Sequence, residues 1–71
     1  MNVYQIIELL FATIQGSIEE QSLINQLAEA SGKSIASIKS AINGCRNKKN
    51  KTDFSLCIRK KLKLGGPGLP K

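Results

Sequence analysis

Histidine and tryptophan are absent from this chain, and its only cysteines are Cys45 and Cys57. Two thiols without a histidine cannot complete a four-ligand zinc site. The acidic residues are few and lie mostly on ordinary helix faces, so no Ser–His–Asp set and no phosphate-binding loop can be assembled. The sequence therefore predicts a protein that is not an enzyme and that binds no metal or cofactor.

A long apolar run and a basic leader are missing as well. The segment VYQIIELLFATI at 3–14 is too short for a membrane span, and it contains Glu8. The first residues lack the positive charge that begins a signal peptide. We therefore expect a cytoplasmic location (the host cytoplasm if a phage encodes the chain) and no membrane partner.

The expected location also predicts the oxidation state of the two cysteines. Thiols stay reduced in the cytoplasm, whereas a disulfide between them needs an oxidising compartment. We expect both to be reduced, with Cys57 buried as a small hydrophobe and Cys45 half exposed.

Positive charge is absent from residues 1–32, which contain four glutamates. All eleven basic residues lie at or after Lys33, where Asp53 is the only acid, and the net charge is +6. Segregation of this kind produces a one-sided field that attracts a polyanion. Nucleic acid, an RNA-rich particle and an anionic membrane are the partner classes it indicates.

The apolar residues, 41% of the chain, recur at three- and four-residue spacing in four segments. We predict an all-α fold, a small three- to four-helix bundle with a helix-turn-helix and a disordered C-terminal tail. The folded domain is expected at 1–64 and the flexible tail at 65–71. The predicted helices span residues 3–15, 18–30, 35–43 and 53–63.

Polar residues mark where three of these helices begin. Ser17 and Glu20 have the form of a capping box, and Ser34 is positioned to cap the third helix. Either Thr52 or Asp53 is expected to cap the fourth. The residues predicted to face the core are Val3, Ile6, Ile7, Leu10, Ile14, Ile18, Leu23, Ile24, Leu27, Ile35, Ile38, Ile42, Phe54, Cys57, Ile58 and Leu62.

Three residues have the spacing of a helix-turn-helix. The motif needs a small residue in its first helix, a glycine in the turn and an aliphatic residue inside the second helix. Ala28, Gly32 and Ile38 meet these needs at offsets of four and six residues. The pattern predicts that the second and third helices cross closely.

The stretch 27–44 resembles the helix-turn-helix of the phage repressor and Cro family, and its Ala-Glu…Gly-x-Ser part is similar to the lac-repressor family. The resemblance implies a transcriptional regulator of bacterial or phage type that binds double-stranded DNA as a homodimer. The outward face of the third helix lacks an Arg or Gln that could make bidentate contacts with a base. We therefore expect the protein to recognise DNA mainly by its shape. The matching residues are Leu27, Ala28, Gly32, Ser37, Ile38, Asn43 and Gly44.

The predicted DNA contacts lie in the third helix and the loop CRNKKNK that follows it. Residues expected to approach base edges are Ser34, Ala36, Ser37, Ser40 and Asn43. Residues expected to hold phosphates are Lys33, Lys39, Arg46, Lys48, Lys49 and Lys51. The expected dimer interface on the first helix comprises Tyr4, Leu9 and Phe11.

Three other functions fit parts of the sequence. A small phage-type adaptor or inhibitor would bind a host protein such as RNA polymerase through the acidic, apolar N-terminal half. An RNA or ribosome binder would use the basic loop and the tail, although Phe54 is the only aromatic residue of the basic region that could stack on bases. A secreted cationic antimicrobial peptide would be closed by a bond between Cys45 and Cys57.

Overall fold

The computed structural model describes residues 2–66, which fold as four α-helices without a strand. Each helix packs on the next along the chain and α1 also packs on α4, so the helices form a closed ring. The predicted all-α architecture is confirmed, and residues 67–71 of the predicted tail lie outside the described residues. The helices are α1 (Val3–Phe11), α2 (Ile18–Ser31), α3 (Ile35–Cys45) and α4 (Lys51–Leu62).

Apolar side chains from all four helices form one core. The ring of Phe11 on α1 lies 5.4 Å from that of Phe54 on α4, centroid to centroid, which joins the first helix to the last. Burial of each large aliphatic side chain contributes about 1.5–3 kcal/mol to folding. The buried apolar residues are Ile6, Ile7, Leu10, Ile24, Leu27, Ile38, Ala41, Ile42, Cys45, Phe54, Ile58 and Leu62.

Three isoleucines predicted to be buried are exposed. Ile14 is 78% exposed because α1 ends at Phe11 and leaves it in the loop. Ile18 is 86% exposed because it lies nine residues before Leu27, on the opposite side of α2. Ile35 is 42% exposed because it is the first residue of α3, at the margin of the core.

The predicted caps of α2 and α3 are confirmed. Ser17 Oγ accepts a hydrogen bond from the Glu20 amide at 3.1 Å, and Ser34 Oγ accepts one from the Ser37 amide at 3.1 Å. The Glu20 carboxylate, however, accepts from the amide of Gly16 at 3.0 Å instead of closing the box on Ser17. Helices α2 and α3 therefore begin directly after the serines that were predicted to cap them.

The predicted ends of the other elements are wrong in detail. The expected stop at Gly44 is passed, because α3 continues to Cys45. The cap of α4 is Asn50, whose side chain accepts from the Asp53 amide at 2.8 Å, so neither Thr52 nor Asp53 caps that helix. The α3–α4 loop is therefore limited to residues 46–50.

The two cysteines form a disulfide, so the prediction that both are reduced is wrong. The bond joins Cys45, the last residue of α3, to Cys57 in the middle of α4, with their Cα atoms 5.9 Å apart. Cys45 is fully buried and not half exposed. The packing of α3 against α4 brings the two thiols together, which the sequence spacing alone does not specify.

Candidate nucleic-acid interface

A left-handed glycine makes the turn between α2 and α3. Gly32 has φ 72° and ψ 11°, and its amide donates to the Ala28 carbonyl at 3.0 Å. A Cβ placed there would meet no atom within 4 Å, so glycine is required for the backbone conformation and not for space. Ser31 Oγ accepts from the Lys33 amide at 3.2 Å, which gives Ser31 a polar role in the turn.

The two other residues of the motif, Ala28 on α2 and Ile38 on α3, belong to the hydrophobic core or pack against it. Ile38 is fully buried, and Ala28 packs against the edge of the same core. A small side chain in the first helix and an aliphatic one in the second are the residue types that a close crossing of two helices needs. Gly32 thus makes the predicted turn, and Ile38 lies in the core as predicted.

One side of α3 faces away from the core, and we call it the α3 outer face. The side chain of Ser34, expected here, instead caps the helix and donates to Ser37 Oγ at 2.9 Å. The remaining predicted base-contacting residues are all exposed, as expected. The α3 outer face comprises Ala36, Ser37, Lys39, Ser40, Asn43 and Gly44.

Arg46 makes two side-chain contacts within the protein, one with Glu20 and one with Asn43. Arg46 Nη2 lies 3.4 Å from Glu20 Oε2 in an ion pair, and Arg46 Nε donates to Asn43 Oδ1 at 3.1 Å. The Glu20 side chain is only 11% exposed, so this pair is partly shielded from water. These contacts hold the end of α3 against the start of α2.

Five of the predicted phosphate contacts lie on α3 or in the segments directly before and after it. Lys33 lies in the turn before α3 and Lys39 lies on the helix. Lys48, Lys49 and Lys51 follow its carboxyl end and are exposed. One of these cations is therefore on α3, one precedes it, and three lie in the α3–α4 loop or at the start of α4.

The charge asymmetry of the sequence becomes an asymmetry between helices. The exposed glutamates Glu8, Glu19 and Glu29 lie on α1 and α2, whereas the lysines lie from the turn onward, on α3, α4 and their loop. A polyanion would meet attraction on one half of the ring and repulsion on the other.

The carboxyl end of α4 brings a further lysine onto α3. A Cβ at Gly44 would lie 2.8 Å from Lys61 Cε and 3.1 Å from Lys61 Nζ, so this side chain lies directly over the glycine. Sequence reasoning missed Lys61, since its position depends on how α4 packs beside α3. It borders a shallow cavity of about 500 Å³, the α3–α4 groove, which is lined by Ala36, Ser37, Ser40, Ala41, Lys61 and Leu62.

The predicted dimer interface does not form one surface. Tyr4 lies beneath the Arg59 guanidinium, 5.5 Å from its carbon to the ring centroid, and Phe11 packs on Phe54. Leu9 is half exposed but lies about 140° around α1 from Tyr4. The structure therefore does not bring the three predicted residues together.

Two isoleucines that were predicted to be in the core expose a larger fraction of their side chains than the residues of the predicted dimer interface. Ile14 and Ile18 are the most exposed large apolar side chains among the described residues. Both lie at the junction of α1 and α2, in the acidic half. The signal in the sequence is their position beside Gly16, outside the stripe that continues through Ile24 and Leu27.

Within residues 2–66 no helix is long and apolar enough to cross a membrane, and no three potential metal ligands cluster. Comparison of the chain with protein-family models, curated proteins and solved structures gives no match. The resemblance to the phage repressor and Cro family stays a prediction.

Proposed function

We propose that this chain is a DNA-binding protein of helix-turn-helix type that regulates transcription in a bacterium or phage. The observation that carries the proposal is the α2–turn–α3 unit. Gly32 in the left-handed conformation and the buried Ile38 fix α3 so that Ala36 and Ser40 face outward. A helix held in this way is suited to enter the major groove of double-stranded DNA.

Charge supports the same partner. Phosphate contacts supply most of the sequence-independent affinity of DNA-binding proteins. The proposed phosphate contacts are Lys39 on the α3 outer face and four lysines in the adjoining segments, Lys33, Lys48, Lys49 and Lys51. Arg46 is left out of this set because its guanidinium pairs with Glu20.

The base contacts of the proposed complex are modest. Ser37 and Ser40 offer hydroxyl groups, and the methyl of Ala36 suits a thymine methyl. Asn43 is bound to Arg46 and contributes less than the sequence predicts. Sequence preference then depends on DNA shape and on two copies binding adjacent half-sites, so we propose a homodimer on DNA.

A salt titration tests the proposal. Fluorescence anisotropy with a labelled duplex should give a slope of log K against log salt of about −4 to −5 if five phosphates are contacted. Replacing Lys48 and Lys49 by Met should reduce the slope by about 2. The matched control is Glu29→Gln on the acidic half, which should leave the slope unchanged. Salt-independent binding, or no binding at low salt, would contradict the proposal.

The disulfide favours a second candidate, a secreted cationic protein that binds anionic membranes. A bond such as Cys45–Cys57 persists in oxidising compartments, whereas the DNA proposal implies a cytoplasmic protein. Thiol alkylation of protein taken from its native source discriminates the two. Alkylated cysteines support the cytoplasmic regulator, and blocked cysteines together with sedimentation on anionic vesicles support the secreted protein.

The exposed isoleucines favour a third candidate, an adaptor that binds a host protein such as RNA polymerase. Ile14 and Ile18 offer an apolar contact in the acidic half, away from the lysines. The test is a pull-down from nuclease-treated bacterial lysate with the chain and with its I14S/I18S variant. Polymerase retained by the unmodified chain and lost by the variant would support the adaptor.

A further inference from the structure

We infer that Lys61, on α4, reads a base in the DNA complex although α3 is the helix that enters the groove. The inference rests on the proposed function and deepens it by naming a specificity-determining residue. Lys61 is exposed at the border of the α3–α4 groove. Its ammonium group provides a strong donor that the small residues of α3 do not.

The placement of Lys61 follows from the packing of α4. Ile58 and Leu62 of α4 are buried in the core, and Cys57 lies beside Cys45 of α3. Lys61 follows Cys57 by one helical turn and is therefore directed toward α3, where it meets Gly44. The Lys61 side chain and the α3 outer face thus present one surface to a ligand.

Gly44 makes room for this side chain. It lies inside α3, next to Cys45, and it carries no Cβ between the helix backbone and the Lys61 stem. Any larger residue at position 44 would meet Lys61 Cε at 2.8 Å and displace it. The predicted helix stop is instead the place where α3 accepts a side chain from α4.

The chemistry of the surface indicates which base is read. In the groove, Ser37 and Ser40 offer hydroxyl groups and Ala36 a methyl group, and none of them attracts one base strongly. A lysine ammonium has three donors, and guanine presents two acceptors, O6 and N7, in the major groove. Lys61 therefore fits a guanine in B-form duplex DNA, whose major groove is wide enough for a helix and an adjacent side chain.

Selection of binding sites from a random DNA library tests the inference. We compare the unmodified chain with K61M, which keeps the aliphatic stem, and with K60M as the matched control. Lys60 lies about 100° around α4 from Lys61 and is exposed, so K60M removes the same charge. We expect the unmodified chain to enrich a guanine at a fixed position, with about tenfold discrimination that K61M loses and K60M keeps.

A second variant tests the role of Gly44. G44A adds one methyl group at the place where Lys61 lies and should lose the guanine preference while keeping affinity for random duplexes. Thermal melts establish that each variant is folded. K61R should restore the preference, since arginine also donates to guanine O6 and N7.

The outcomes separate this inference from the proposed function. If the unmodified chain binds no duplex, the proposed function fails and the inference fails with it. If it binds and K61M selects the same sites as K60M, only the inference is overturned. A G44A variant with unchanged site preference would overturn it as well.

Discussion

Helix α3 packs against α2 on one side and α4 on the other, and the two contacts are built differently. On the α2 side, the left-handed Gly32 and the buried Ile38 set the crossing within a few residues of the turn. On the α4 side, a bond between Cys45 and Cys57 spans a separation of 12 residues. The first contact is encoded locally, whereas the second depends on packing.

The difference explains how each side contributes to the proposed interface. The α2 contact determines which face of α3 is presented outward. The α4 contact adds Lys61 to that face, because the packing of α4 against α3 places Lys61 over Gly44. Weakening the first contact should therefore damage the whole fold, and weakening the second should loosen one edge of the interface.

The largest expected effect is at the α2–α3 contact. Ile38→Ala removes a fully buried side chain and leaves a cavity, so the free energy of unfolding should fall by about 3–4 kcal/mol. Urea unfolding followed by circular dichroism measures the change. Ile35→Ala is the matched control in the same helix, and its loss should stay below about 1 kcal/mol because Ile35 is at the margin of the core. Equal losses for the two variants would contradict the described packing.

The next largest effect is at the α3–α4 contact. Reduction of the Cys45–Cys57 bond should lower the free energy of unfolding by about 3 kcal/mol, since the bond closes a short loop in the unfolded chain. Thermal melts with and without reductant test this. The C45A/C57A double variant is the control, and its melting temperature should not respond to reductant. An unmodified chain that is equally insensitive would show that the bond does not stabilise the fold.

The same two contacts mark what could be predicted from sequence. Gly32 and Ile38 are close in the chain, so their spacing sufficed to predict the turn and the burial of Ile38. The pairing of Cys45 with Cys57 needs the distance between two helices, which spacing does not give. The prediction of reduced thiols was therefore made from the expected compartment, and it was wrong.

Helix ends and surface contacts could likewise be predicted where neighbouring residues determine them, and not where packing between helices does. Ser17 could be predicted as a cap because it forms a capping-box pattern with Glu20, and Ser34 because it directly precedes the third apolar segment. Before α4, residues 50, 52 and 53 are all of types that can cap a helix. In the structure Asn50 is the cap, and Phe54, four residues later, is buried. The ion pair between Arg46 and Glu20 joins residues 26 positions apart, so it depends on how α2 and α3 pack and could not be predicted from spacing.

A smaller effect is expected at the turn. Gly32→Ala forces a residue with a Cβ into φ 72° and should cost about 1–2 kcal/mol of unfolding free energy. Gly32→Asn should lose less, because asparagine tolerates the left-handed region better than alanine. Urea unfolding of both variants checks the order. Equal stability of the alanine variant and the unmodified chain would mean that the turn does not need this conformation.

The smallest effect has the opposite sign and lies at the α4 side of α3. Gly44 is inside the helix, so Gly44→Ala should raise the free energy of unfolding by about 0.5–1 kcal/mol through helix propensity. The added methyl group meets only the Lys61 side chain, whose flexible end can move away at little cost. Ala36→Gly at an exposed position of the same helix is the reverse control and should lose a similar amount. A loss of stability in Gly44→Ala would mean that Lys61 cannot move, and that α4 holds it on α3 more rigidly than a flexible lysine allows.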